Sequence, residues 1–282
     1  MRELGSGVGS KLAAGEKMNE AKQGSIPALI LPPALPPDQG GSLPPPLAEE
    51  PRATTSKCGR LHHEMTREIE RPTVRPGEPA PDFTVAAATR DDRFSLGDFR
   101  GKSPLFLALL RGLYCPFCRR HVVLLGKTAE KLERIGVQTL AVVGSSAESV
   151  RLYLRYRPTR CLVGADPELA IHGAYGVPRA PMSPELLGAV ESSAVDLARE
   201  LRLTVAAGDA HEAIRRLDGY QVTDNDRADF QRQEGLLTAQ FLVGRDGIVR
   251  WANVECARDG LAGITKFPTD EEILAAASAL SD

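Results

Sequence analysis

Cysteine is sparse in this 282-residue chain: there are five, and only Cys115 and Cys118 stand close together. That pattern excludes the disulfide framework of small secreted domains and points to a reduced, cytoplasmic setting. Long apolar runs are missing too, since none approaches the roughly eighteen residues of a membrane span. Ile26 to Leu31 is too short and too proline-bounded to be the core of a signal peptide. Charge of one sign is not in excess: 35 Lys+Arg against 37 Asp+Glu leave a net −2. Nothing here forms the electrostatic footprint of a nucleic-acid or anionic-membrane binder. What is present, 42% hydrophobic residues, suffices for a real core in one large or two small domains.

Residues 1–64 differ from the rest. Pro32-Pro33, Pro36-Pro37 and Pro44-Pro45-Pro46 punctuate a stretch with neither helical nor strand periodicity. Such sequence buries too little apolar surface to offset the entropy of ordering, so a disordered, partly polyproline tail is expected. Recruitment through proline-rich recognition is the sharper alternative to a passive tail. Met18 and Met65 are alternative starts, and Met65 opens a second segment, 65–282, that reads as the folded domain. The tail is expected to be dispensable for folding.

The chemistry concentrates at Cys115-Pro116-Phe117-Cys118. Leu105 to Leu110 is continuously apolar, as in a strand covered on both faces. Beyond the cysteines, Val122, Leu125, Ala129, Leu132 and Ile135 recur at helical spacing. Pro116 suits the first helical position, which puts Cys115 at the N-cap. There its sulfur can accept backbone N–H groups and feel the positive end of the helix dipole, and both favour the reactive thiolate. Arg111, Arg119 and Arg120 are expected to add positive charge nearby. A zinc site is the competing reading, because His121 completes Cys-x2-Cys-x2-His, but the remaining candidates (Cys58, His62, His63, Cys161, His172, His211, Cys256) are scattered. Two inert core cysteines are the other alternative. A strand–CxxC–helix context favours thiol redox chemistry over both, and no metal or bound cofactor is required.

Around this unit the pattern predicts strands over 84–87, 93–96, 137–143, 160–163, 241–243 and 248–252, the last pair turning at Asp246-Gly247. Ser145-x-x-Glu148 is read as a capping box opening a helix to about Tyr156, and Thr269-x-x-Glu272 caps the last helix. A short helix is expected over 166–175. The order gives a mixed α/β fold. Residues 179–235 exceed what this fold needs and read as a mostly helical insertion. The charges Asp224, Asp226, Arg227, Asp229 and Arg232 are assigned to a solvated helix face, with a lid or dimer surface as the alternative.

The GEPAPDF entry at 77–83, the strand–CPFC–helix unit, Tyr175-Gly176-Val177 and FLVGRDGIVR at 241–250 resemble a thioredoxin-fold redoxin. The nearest resemblance is to the peroxiredoxin-like branch of the alkyl hydroperoxide reductase/thiol-specific antioxidant family. It implies a thioredoxin-like fold, with a central mixed sheet flanked by helices. By position, Cys115 matches the peroxidatic cysteine and Cys118 the resolving cysteine of thioredoxins. The resemblance implies a peroxide or disulfide substrate, and thioredoxin or a glutathione system as reductant; a homodimer is compatible with it. Two positions depart from the family pattern. Gly112 stands where peroxiredoxins carry Thr or Ser, and Thr238 stands near where they carry an arginine and thioredoxins a cis-proline. Arg111, at the end of the strand beside Cys115, is the candidate to supply the missing cation. The leading reading is a thiol peroxidase. A disulfide reductase or redox sensor, and a non-catalytic binding module of the same fold, are the alternatives. Cys161 and Cys256 are expected to stay outside the thiol cycle.

Overall fold

Leu105–Leu110 forms the central strand, β3, and every one of its side chains is buried. The computed structural model of the chain describes residues 71–206 and 208–280; the proline-rich stretch 1–64 lies outside them. The elements before β3 are β1 (Thr84–Ala87) and β2 (Arg93–Ser95). After it come α1 (Pro116–Glu133), β4 (Gln138–Val143), α2 (Ala147–Tyr156), β5 (Leu162–Ala165) and α3 (Ala170–Ala174). The chain ends with β6 (Ala239–Val243), β7 (Val249–Val254) and α7 (Asp270–Ser278). The strands make one seven-stranded sheet in the order β2-β1-β5-β4-β3-β6-β7. β3, β4 and β5 run parallel, joined through α1 and α2, while β6 pairs antiparallel with β3 and β7 with β6. This is the mixed, thioredoxin-like sheet with flanking helices that the sequence predicts.

Side chains on a strand alternate faces, and β3 uses both. Phe106, Ala108 and Leu110 pack with Val122, Leu125 and Leu132 of α1 and Ile273 of α7. Leu105, Leu107 and Leu109 pack on the other side with Phe83, Phe94, Tyr175 and Phe241. Fully burying a leucine is worth about 1.5–3 kcal/mol, so a strand with no solvated face belongs at the sheet centre. Ile135 departs from its predicted place on the buried face of α1: the helix ends at Glu133, and Ile135 is 43% exposed.

Other boundaries shift for local reasons. Helix α2 is capped by Ser146, which accepts from the Ser149 amide at 3.2 Å, not by Ser145. Ser145 is fully buried and bonded elsewhere. Strand β5 starts two residues later than predicted, and α3 begins only after Leu169, which adopts the left-handed conformation.

The insertion folds into α4 (Pro184–Glu200), α5 (Ala210–Arg216) and α6 (Asp224–Arg232). Its two ends meet: the Leu237 amide donates to Pro178 O at 3.0 Å, and Ala180 donates to Gly235 O at 2.8 Å. This neck lets the insertion leave and rejoin the domain at one point beside β6. Gly235 is required there. Its φ of +72° is left-handed, and a Cβ would lie 2.0 Å from Ala180 O. Gly235→Ala is expected to destabilise the domain by ~2 kcal/mol, from the left-handed penalty plus the backbone clash. Urea denaturation measures this, and an unchanged midpoint would contradict the neck. Among the described residues, no helix is long and apolar enough to cross a membrane.

Candidate active site

Cys115 is the N-cap of α1, with Pro116 at the first helical position. Its Sγ accepts the Cys118 amide at 3.3 Å. The reason is local: the Pro116 ring supplies no N–H, and the first free donor aimed back at the cap is that of Cys118. Both thiols are buried and free, Cys115 at 6% exposure and Cys118 at 3%. Burial alone would raise the Cys115 pKa. The Cys118 thiol hydrogen bond, the Arg111 charge and the Cys118 amide together overcome it and bring the pKa down to about 6. Cys118 goes the opposite way: burial, and the neighbouring Cys115 sulfur it bonds to, push it well above the ordinary thiol range. The pair therefore divides into one thiolate and one protonated thiol at neutral pH.

Arg111 follows directly on β3. Its guanidinium is held in a fork by Glu255, with Nη1 donating to Oε2 at 3.0 Å and Nη2 to Oε1 at 3.1 Å, while Nη1 also donates to Leu236 O at 3.1 Å. The Glu255 side chain is completely buried, and it accepts two further amides, Thr238 at 2.8 Å and Thr265 at 2.5 Å. Thr238, near where the resemblance leads one to expect an arginine, gives Glu255 its backbone amide, and the Arg111 guanidinium is the cation beside Cys115. Nothing in the sequence pattern marks Glu255. It sits just past β7, and its importance depends on a fold that carries it back to the end of β3.

The insertion holds the loop between β3 and α1 from several directions. Gln233 accepts the Gly112 amide at 2.8 Å and donates to Gly144 O. The Leu113 amide donates to Ser145 Oγ at 3.0 Å, and Ser145 in turn donates to Asp229 at 2.6 Å. Arg119, fully buried, donates to Asp218 at 2.8 and 3.2 Å, to Leu113 O at 2.7 Å and to Arg215 O at 2.8 Å, and stacks over Tyr220 at 4.5 Å. At Gly112, where the resemblance leads one to expect Thr or Ser, a Cβ would lie 2.9 Å from Ser145 Oγ and 3.1 Å from the Tyr114 ring. A side chain there would press on Ser145, just after β4, and on Tyr114 of the loop itself.

Of the predicted site residues, Arg111, Cys115 and Cys118 come together. Arg119 does not add free charge to the sulfur, because Asp218 takes it, and Arg120 lines a second cavity with His121 and Phe267. His121 stacks face to face on Phe267 at 3.7 Å, and burial lowers its pKa to about 3. Among the described residues no group of three or more His, Cys, Asp or Glu is placed to hold a metal. The solvated-face reading of α6 needs correction: Asp226 and Asp229 are buried, Asp226 accepting from Tyr220 and Thr223, Asp229 from Ser145 and Arg232. Burial pushes the Cys161 thiol up to about 11, and burial with the Glu255 charge also raises Cys256.

The AhpC/TSA family model matches residues 76–252, well over half of the chain. The chain belongs to the AhpC/TSA family. No curated protein sequence matches it. Similar solved structures include the reduced 2-Cys peroxiredoxin of Plasmodium vivax, at 15% identity and a TM-score of 0.47 over 73% of this chain and 96% of that one. Another is the peroxidoxin BcpB of Mycobacterium tuberculosis, at 11% identity and 0.46 over 74% and 97%. A third is a thiol:disulfide interchange protein DsbE, so described provisionally, of Chlorobium tepidum, at 19% and 0.39 over 73% and 99%. Family membership supports thiol-dependent redox function in general terms.

Proposed function

We propose that this AhpC/TSA member reduces peroxides, with Cys115 as nucleophile, Cys118 as resolving thiol and Arg111 as the fixed cation beside them. The observation that carries the reading is geometric: Cys115 is the N-cap of α1, its Sγ accepts the Cys118 amide at 3.3 Å, and the Arg111 guanidinium lies beside it, an arrangement that favours thiolate at Cys115 and thiol at Cys118. The Cys115 thiolate attacks the terminal peroxide oxygen, the O–O bond breaks, and the departing alkoxide or hydroxide takes up a proton. Arg111 stabilises the charge as it moves from sulfur to oxygen. Cys115 becomes a sulfenic acid, and the Cys118 thiol displaces its oxygen as water to give a disulfide. An external dithiol, thioredoxin-like or glutathione-linked, then reduces the pair by exchange.

Thiol–disulfide exchange with a protein substrate is the second reading, because a CxxC at a helix N-terminus serves both reactions. The 6% exposure of Cys115 favours a small oxidant over a folded protein's disulfide. The test is stopped-flow oxidation of the reduced chain by hydrogen peroxide, followed across pH. The rate should climb through about pH 6 and be flat above 7, since a lowered thiol pKa keeps the nucleophile ionised at neutral pH. A rate still climbing at pH 8.5, as for an ordinary thiol, would count against Cys115 as described. Slow oxidation together with rapid reduction of an insulin-like disulfide would favour the second reading.

A further inference from the structure

A cavity of about 530 Å³ runs along the flank of α1 from Phe117 to Thr128. It is closed by the C-terminal end of α4, by the segment that leads into α7, and by α7 itself. It is not the cavity over Cys115: their linings share only Phe117 and Thr265. Most of its wall is apolar, with Phe117, Leu124, Leu197, Phe267 and Ile273 as the main surfaces. Leu124 is 41% exposed although Val122 and Leu125 beside it are buried, because it lines this opening and meets no packed neighbour there. The volume suits a small organic molecule.

The charges in the wall are unevenly committed. Asp270 accepts from Thr128 at 2.6 Å and pairs with Lys131 at 2.5 Å, so its charge is already met. Arg120 and Lys127 also line the cavity, and among the described residues neither makes a side-chain hydrogen bond or an ion pair. They lie four residues before and three after Leu124, hence on one face of the helix. Two turns separate them, about 10.5 Å along the axis, a span that two long side chains can close on one group. Glu200, exposed at the end of α4, is the other carboxylate in the lining. Two uncommitted cations against one carboxylate leave a single positive charge. At the same wall His121 is buried and stacked on Phe267, and its Nε2 has no hydrogen-bond partner.

We propose that this cavity is a second ligand site, which takes an organic monocarboxylate: an apolar body against Leu124, Leu197, Phe267 and Ile273, and one negative charge held by Arg120 and Lys127. The guanidinium fork matches a carboxylate, and a hydrogen bond to an ionised partner is the stronger kind. A free phosphate would leave the apolar wall uncovered, and its second charge would face Glu200. An organic cation would be repelled by both basic side chains. The proposal goes beyond the peroxidase reading and does not depend on it.

The experiment titrates the full chain with 4-phenylbutyrate, and separately with the neutral 4-phenylbutanol and the cationic 4-phenylbutylamine. Binding is read by calorimetry and by the ring resonances of nitrogen-15-labelled histidine. The acid should bind with a Kd of about 1 mM or tighter, as its size allows. The alcohol should be weaker by about fivefold or more and the amine weaker still. Arg120→Met and Lys127→Met should each weaken the acid by about threefold, and together bring it to the level of the alcohol. Alcohol binding should be unchanged in both variants, which also shows that they fold. His121 lines this cavity and His211 the one over Cys115, so the larger resonance shift should fall on His121. No saturation by about 10 mM acid, or equal binding of acid and alcohol, would overturn the proposal. A larger shift at His211 would place the ligand over Cys115 and overturn it as well. None of these results bears on peroxide reduction, which the stopped-flow measurement tests separately.

Discussion

Cys115→Ser is expected to abolish thiol-dependent turnover, because serine at this N-cap can still accept the Cys118 amide but cannot ionise near neutral pH. The helix start is preserved, so the loss reports chemistry rather than folding. Cys118→Ser should behave differently. It leaves the first attack possible but removes the thiol that condenses with the sulfenic acid, so one equivalent of peroxide is consumed and the oxidised sulfur persists. The serine hydroxyl can still donate to the Cys115 sulfur in place of the thiol, and the backbone amide of residue 118 is unchanged, so the first step should keep its pH midpoint or move it slightly down. Trapping the sulfenic acid with dimedone, and mapping the disulfide formed in the unaltered chain, provide the check. A Cys115–Cys118 link supports the assignment, whereas a Cys115–Cys256 link would move the resolving role to Cys256 and overturn it.

The placement of Cys115 was legible because its signals are local. An apolar run that is central on both faces, a turn, a proline at the first helical position and a helical period beyond it define β3, the cap and α1 from consecutive residues. The Asp246-Gly247 turn and the Thr269 cap were legible for the same reason, and both occur where the pattern places them. What surrounds the sulfur was not. Glu255 lies 144 residues from Arg111, and Asp218 lies 99 from Arg119, so no periodicity connects them. Pairings of that range appear only once the topology is known.

Asp224, Arg227 and Arg232 of α6 are exposed as a solvated face requires, but Asp226 and Asp229 were misread, for an instructive reason. Composition predicts solvation for a run of Asp and Arg, because unpaired charge is costly to bury. Two of the three carboxylates are instead buried with donors already in place: Asp226 on Tyr220 and Thr223, Asp229 on Ser145 and Arg232. Ser145 was drawn into the same error. Its spacing to Glu148 mimics a capping box, yet its hydroxyl joins Asp229 to the Leu113 amide and leaves the cap to Ser146. An insertion that exceeds what the fold needs in sequence therefore supplies much of the scaffold of the loop that carries Cys115.

Glu255→Gln isolates the charge in that scaffold and should be among the most destabilising single substitutions in the domain. The glutamine oxygen can still accept the Thr238 and Thr265 amides, so what is lost is the compensation of Arg111, whose side chain is only 11% exposed. Leaving one member of a buried ion pair unpaired costs about 3–5 kcal/mol. For a domain of this size that corresponds to a fall in Tm on the order of 10 °C. The double substitution Arg111→Met/Glu255→Gln removes the stranded cation and should recover most of the stability, because a buried pair replaced by uncharged groups is often near neutral. Reactivity should not recover with it. Without the Arg111 charge the Cys115 pKa moves up, by ~1–3 units for a lost neighbouring cation, and alkylation at pH 7 slows accordingly. The two measurements therefore part company in the double variant, with chemical denaturation returning toward the parent and iodoacetamide reactivity staying low. If reactivity returns with stability, Arg111 serves the fold alone and its place beside Cys115 has no bearing on the thiolate. If Glu255→Gln costs under about 1 kcal/mol, the pair is better solvated than its burial implies.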